Sequence, residues 1–264
     1  MRAGWACPAI VTLVEASLLT SPLTDAVQPV GGFEARWLGR QDYETAHALQ
    51  KRLVAERADG TIPDQLLLLE HPAVLTLGRH SDPSHILASE EALAERGVAV
   101  HRVERGGEVT YHGPGQLVAY PIIAVAQRGL LLRPLVRALE AALVATCASF
   151  GVSAARRDGH PGCWCDPEAA APRKIGALGL RVERGVTYHG IALNVSVDLK
   201  DFELIDPCGM PGVVSTSIDA EWAGPAGRGG PLPPPTTASV ARAAHAFAPA
   251  FASAIGAALT WPEA

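Results

Sequence analysis

Three observations predict an α+β fold with a mixed, mainly antiparallel sheet and flanking helices. Strand-like and helical segments are interspersed without regular βα alternation, and several apolar strand pairs have hairpin-length connections. Of the 264 residues, 48% are hydrophobic, enough to fill a substantial core. Residues 1–32 read as a poorly ordered extension. Residues 33–264 read as a single domain that includes a Pro/Gly linker at 224–235 and a closing helix at 238–258.

The elements follow in order. From Asp42 to Arg57, Tyr43, Ala46, Leu49, Leu53 and Val54 recur at helical spacing, and Asp59-Gly60 ends the run. Gln65 to Glu70 and Ala73 to Leu77 read as short buried strands on either side of His71-Pro72. A short helix is predicted at Ser89 to Arg96, then strands at Val98 to Val103, Glu108 to Tyr111 and Gln116 to Ile123. Arg133 to Phe150 reads as a helix with Pro134 in its first turn and Gly151 past its end, and Val152 to Ala155 as a strand. The Gly/Pro/Asp-rich stretch from Gly159 to Pro172 reads as irregular. Lys174 to Val182 and Val186 to Val197 form a hairpin turning at Arg184-Gly185, followed by a short strand at Val213 to Ser215. The last helix presents Val240, Ala244, Phe247, Phe251 and Ile255 on one face.

Composition excludes several classes. A formal charge of −5 argues against nucleic acid as a partner. Ala6 to Leu19 is too short to span a bilayer and, interrupted by Pro8 and Glu15, makes a poor export signal. Five cysteines at irregular spacing oppose a disulfide framework and suit a reducing cytosol. Cys163 and Cys165, on one face of an extended segment, read as small apolar packers, and no second pair completes a zinc site. No metal or cofactor is expected, and a cytoplasmic monomer is.

Val-Thr-Tyr-His-Gly occurs twice, at Val109 to Gly113 and Val186 to Gly190, each copy following a Glu-Arg-Gly stretch. The first copy sits among four glycines and a proline between Arg105 and Gln116, a stretch shaped for close approach to a ligand. Only three of the 22 basic residues are lysines, so Lys174 stands out as an amine with a tunable pKa. Cys208 lies in the turn Asp206-Pro207-Cys208-Gly209, which suits an exposed thiol; a nucleophilic thiol needs a nearby cation or base. His112 and His189 are read either as hydrogen-bonded hairpin residues or as groups that orient a carbonyl.

These motifs, in this order, resemble the octanoyltransferases of lipoate biosynthesis, lipoyl(octanoyl) transferases of the biotin/lipoate ligase-like superfamily. The resemblance rests on Arg105 to Gln116 with Tyr120, Lys174-Ile175-Gly176-Ala177-Leu178-Gly179, His189 to Val195, and Pro207-Cys208-Gly209, and covers roughly Phe33 to Ile218. It implies the biotin/lipoate ligase-like catalytic fold and transfer of an octanoyl group from octanoyl-acyl carrier protein to a lysine of lipoyl domains, those of 2-oxoacid dehydrogenase E2 subunits and the glycine cleavage H protein. Cys208 would carry the acyl thioester, and Lys174 would lower its pKa and relay protons. The acyl groove would be walled by Arg105, Gly106, Gly107, Glu108, Val109, Thr110, Tyr111, His112, Ala177, Leu178, Gly179, Gly190, Ile191 and Ala192, its small residues leaving room for a thin chain. His71 would shape the pocket floor. Docking of an acidic carrier would use Arg128, Arg133 and Arg137, or Arg181 and Arg184. The rivals are an ATP-dependent lipoate or biotin ligase and a non-catalytic acyl-binding module.

Overall fold

The computed structural model describes residues 31–206, 213–223 and 239–262. The expected extension, apart from residues 31 and 32, and the expected linker therefore lie outside the described residues, as does Cys208. Strand β1 (Phe33–Arg40) leads into helix α1 (Tyr43–Ala58), β2 (Asp64–Glu70) and β3 (Val74–Leu77). Next come α2 (Glu90–Glu95), β4 (Ala99–Arg102), β5 (Thr110–His112) and β6 (Gln116–Ile122). The second half runs α3 (Leu132–Ser149), β7 (Ala155–Arg157), β8 (His160–Cys165), β9 (Arg173–Glu183) and β10 (Val186–Asn194). It closes with β11 (Val214–Ser215), α4 (Ile218–Ala223), α5 (Ser239–Ala254) and β12 (Leu259–Thr260).

The main sheet has the order β12-β1-β2-β6-β10-β9-β8-β7, with β11 also on β9; a second sheet has the order β4-β3-β5. Pairings are antiparallel except β1 with β2 and β12, β9 with β11, and β3 with β4. This is the mixed, mainly antiparallel architecture that the interspersed pattern predicts. Helices α3 and α5 cover one face over a core that includes Leu139, Leu143, Phe247 and Phe251, and α1 covers the other, its Leu53 and Val54 sharing a cluster with Tyr188 of β10. Strands β2 and β10 lie between helical layers, which is why Leu66 to Leu69 and the whole of β10 are buried without alternation.

Local chemistry sets the element boundaries. The Asp42 carboxylate accepts from the amides of Glu44 and Thr45 and caps α1, and Ser89 caps α2 through the amide of Ala92. At the β9–β10 turn Arg184 (φ 50°) and Gly185 (φ 78°) both take positive φ, as a two-residue hairpin with right-handed strand twist demands. Asp64 is buried with two guanidiniums, Arg57 Nε at 2.6 Å and Arg128 Nε, and also accepts from the amide of Ala124.

Several expectations need correction. Strand β1 edges the expected domain but carried no strand prediction, and α4 was not foreseen. The predicted strand at Val152 to Ala155 lies later in the chain, as β7. Gly159 to Pro172 is not simply irregular, because β8 runs through it and pairs with β9. Cys163 and Cys165 turn into the main core there, and the buried Glu140 carboxylate of α3 accepts from the amide of Gly162 at 3.1 Å. Composition points to a loop; burial of Cys163 and Cys165 in the core that α3 covers overrides it.

Candidate active site

A narrow cleft opens between β9, β10 and the loop before β5. Of the fourteen predicted groove residues, all but Gly106 and Tyr111 line it, and Lys174 lies in its wall. Gly106 lines a neighbouring groove that shares Gly107, Glu108, Lys174, Leu178 and Gly179 with the first. Tyr111 turns the other way, as alternation along a strand requires, into the cluster beneath the small sheet, where its hydroxyl donates to Asp201 Oδ2 at 2.5 Å.

The groove glycines do not act by leaving empty space. A Cβ on Gly190 would stand 2.0 Å from the carbonyl oxygen of Ala119, and one on Gly179 would stand 2.7 Å from that of Gly106. Glycine at these positions lets β6 and the Arg105–Gly107 loop come close to the β9–β10 hairpin, so the cleft is narrow because backbone meets backbone. Arg105 pins that loop. Its buried guanidinium donates to the Thr76 carbonyl at 2.5 Å, to the Thr76 hydroxyl, and to the Gly106 carbonyl at 3.1 Å.

Three cleft residues fall outside the predicted set: Tyr43, Tyr120 and His189. Tyr43 reads as one more apolar position of an amphipathic helix, so nothing local marks it. Tyr120 belongs to the matched motifs without being singled out. Its hydroxyl meets His71 Nε2 at 2.8 Å, while His71 Nδ1 meets the Gln41 carbonyl at 2.7 Å. His71 thus sits behind the cleft, supporting Tyr120 rather than lining the cavity. Burial pushes His71 down to about 4 and His112 to about 3, so both imidazoles stay neutral. His112 Nδ1 is 2.7 Å from Gln116 Oε1, the hydrogen-bonded hairpin role.

His189 is different. Pro121 of β6 has no N–H, and at this point of the strand pair His189 adopts φ 54° and sends its own amide to the Gln50 side chain of α1 at 2.8 Å. Its ring stacks on Tyr188 at 4.7 Å, and its buried Nε2 has no hydrogen-bond partner. Burial lowers its pKa to about 3.

Lys174 is the second residue of β9, at the β8 and β11 pairings, with its ammonium 5.2 Å from the centre of the Trp164 ring. The described cysteines all lie in the interior, away from the cleft lining. Cys147, Cys163 and Cys165 are buried; a hydrogen bond with the Cys163 sulfur and burial push Cys147 well up, and burial pushes Cys165 up to about 12. Among the arginines expected to dock a carrier, Arg128 is committed to Asp64, with its side chain only 3% exposed, and Arg184 pairs with Asp59 at 2.5 Å. No helix among the described residues is long and apolar enough to cross a membrane.

Residues 42–222 match the family described as the lipoyl protein ligase A/B catalytic domain, and they contain every element that builds the cleft. The chain belongs to that family. Within it the chain groups with octanoyltransferases and is an acyltransferase: it is 50% identical over 192 residues to the octanoyltransferase of Acidobacterium capsulatum, covering 70% of this chain and 78% of that one. The octanoyltransferase of Chloroflexus aggregans is 47% identical over 71% of this chain and 85% of its own. The fold also matches a solved bi-partite lipoate protein ligase from Thermoplasma acidophilum, whose structural study included its E2 lipoyl domain. That match has a TM-score of 0.54 at 12% identity and covers 90% of this chain and 87% of the other.

Proposed function

We propose that residues 33–264 act in the cytosol as one catalytic unit that carries octanoyl groups from acyl carrier protein to lipoyl-domain lysines, through a thioester on Cys208. The carrying observation is that Lys174 lies in the wall of the same narrow cleft as the glycine-rich motif. Pairing of β12 with β1 joins the two ends of the described chain and supports a single unit.

Cys208 lies outside the described residues, but the chain on both sides of its segment is tethered beside the cleft. The amide of Asp206 donates to the His85 carbonyl at 2.8 Å, and His85 Nδ1 lies 3.2 Å from Glu108 of the cleft. On the far side Ser215 pairs with Lys174, and the Thr216 amide donates to the Lys174 carbonyl at 2.9 Å. In the first half-reaction the Cys208 thiolate attacks the carrier thioester, and the carrier thiol leaves with a proton relayed through Lys174. In the second, a lipoyl-domain amine attacks the new thioester, its lost proton returns by the same route, and the Cys208 thiol is freed. One thioester replaces another and is then exchanged for an amide, so no nucleotide is needed. Each buried methylene of the chain adds about 0.8 kcal/mol of binding. The second groove, with Leu132, Val136 and Pro161, shares those residues with a surface bearing Arg133 and Arg157, a basic approach for an acidic carrier.

Incubation with octanoyl-acyl carrier protein without ATP, read by intact mass, tests this function. One hydroxylamine-sensitive octanoyl adduct is expected on the protein and none on Cys208→Ser; an unmodified wild-type protein sinks the reading. Lys174→Arg is expected to keep the fold yet acylate at least about 100-fold more slowly, because a guanidinium cannot give up its proton. Near-normal turnover would retire the relay.

A further inference from the structure

A cluster of three ligand-type side chains lies beside the cleft, built from elements far apart in the chain. His47 extends from α1, Glu104 from the loop after β4, and His189 from the distorted centre of β10. One ligand atom from each lies within 4.8 Å of the others. Glu104 Oε2 is 3.3 Å from His47 Nε2 and 3.9 Å from His189 Nε2, and the two imidazole centres are 5.4 Å apart at an angle of 16°. Two ligands on a tetrahedral zinc ion stand roughly 3.3 Å apart, given bonds of about 2.0 Å, so side-chain adjustments of an ångström or less would close the site.

The second observation concerns the two imidazoles. Both Nε2 atoms are buried and lack a hydrogen-bond partner, although Glu104 Oε2 lies 3.3 Å from the one on His47 and 3.9 Å from the one on His189. His189 is only 2% exposed, so its ring nitrogen bears the desolvation cost of a buried polar atom while facing the Glu104 carboxylate. Its orientation is held independently, by the Gln50 bond to its amide and by stacking on Tyr188. Tyr43 stacks on His47. Two cations lie near the site: Arg105, whose guanidinium is held by Thr76 and the Gly106 carbonyl, and Lys51, which is 3.7 Å from Glu104 Oε1 and 2.5 Å from Glu183.

We infer that His47, Glu104 and His189 form a binding site for a divalent first-row transition ion, of which Zn²⁺ is the natural probe. Two imidazole nitrogens and one carboxylate make a borderline donor set that favours such ions over Mg²⁺ or Ca²⁺, with a remaining position for water. The ion would cross-link α1, the loop that carries Arg105, and β10. This site does not depend on the acyl-transfer reading, since it uses neither Cys208 nor Lys174.

The test is calorimetric titration of untagged, full-length Cys208→Ser protein with ZnCl₂, which also removes a competing thiol. One equivalent is expected to bind, with affinity lowered more than about tenfold in His47→Ala and again in Glu104→Gln, since loss of a ligand exceeds the usual effect of losing an outer-shell partner. Co²⁺ should give visible d–d absorption without a sulfur charge-transfer band. Circular dichroism verifies that the variants fold. No saturable binding, unchanged affinity in both variants, or a thiolate band would each overturn the assignment.

Discussion

The two copies of Val-Thr-Tyr-His-Gly have identical residues and opposite surroundings. In the first, His112 ends a three-residue strand of the small sheet and is satisfied by Gln116, while Tyr111 is locked onto Asp201. In the second, His189 lies in a central strand with helices on both faces, its backbone is left-handed, and its imidazole nitrogen is unsatisfied. The threonines diverge too. Thr110 lines the cleft, whereas the Thr187 hydroxyl donates to the Pro121 carbonyl at 2.6 Å and accepts from the amide of Ile123, filling a gap in the ladder. Five shared residues therefore bring two histidines to one cleft, and neighbours from β6, α1 and the small sheet decide what each can do.

Four measurements sharpen this contrast. The largest effect should come from Gly190→Ala, which drives a Cβ to 2.0 Å from the Ala119 carbonyl in a sheet that cannot shift; about 3 kcal/mol of lost stability is expected in chemical denaturation. A loss below about 1 kcal/mol would mean that β6 and β10 separate easily. Tyr111→Phe follows at about 2 kcal/mol, because it removes a short hydrogen bond to a charged carboxylate.

Acid is the third probe. His71 and His112 have folded pKa values of about 4 and about 3, below the unfolded value near 6.5, so the unfolded chain binds protons that the folded chain refuses. Their stabilising effect is complete above about pH 6.5 and is lost as pH falls, toward 4 for His71 and toward 3 for His112, at up to about 1.4 kcal/mol per pH unit for each group. In His112→Gln that slope, followed by denaturation at stepped pH, should drop by one such increment; an unchanged slope excludes His112 as a source. Tyr188→Phe should have the smallest effect, about 0.5 kcal/mol, since its bond to Glu183 is 3.2 Å long and half-exposed.

Much of the scaffold was legible from the chain. Helix α1 announces itself by its period and its Asp59-Gly60 end, and the β9–β10 hairpin by Arg184-Gly185 between apolar runs. Strand β8 was not legible, because proline, glycine and aspartate around Cys163-Trp164-Cys165 mimic a loop until α3 supplies a face to bury against. The cleft walls were readable because they are contiguous motifs. Tyr43, His47 and Glu104 were not, since each carries an ordinary surface or helix signal and joins the site only through long-range folding.

Pro121 has one more consequence. By leaving the His189 amide to the Gln50 side chain, it turns a strand proton into a reporter on a helix. Hydrogen–deuterium exchange at that single position should track how often α1 lifts from the sheet, even while the remaining β10 amides stay protected by their own ladder.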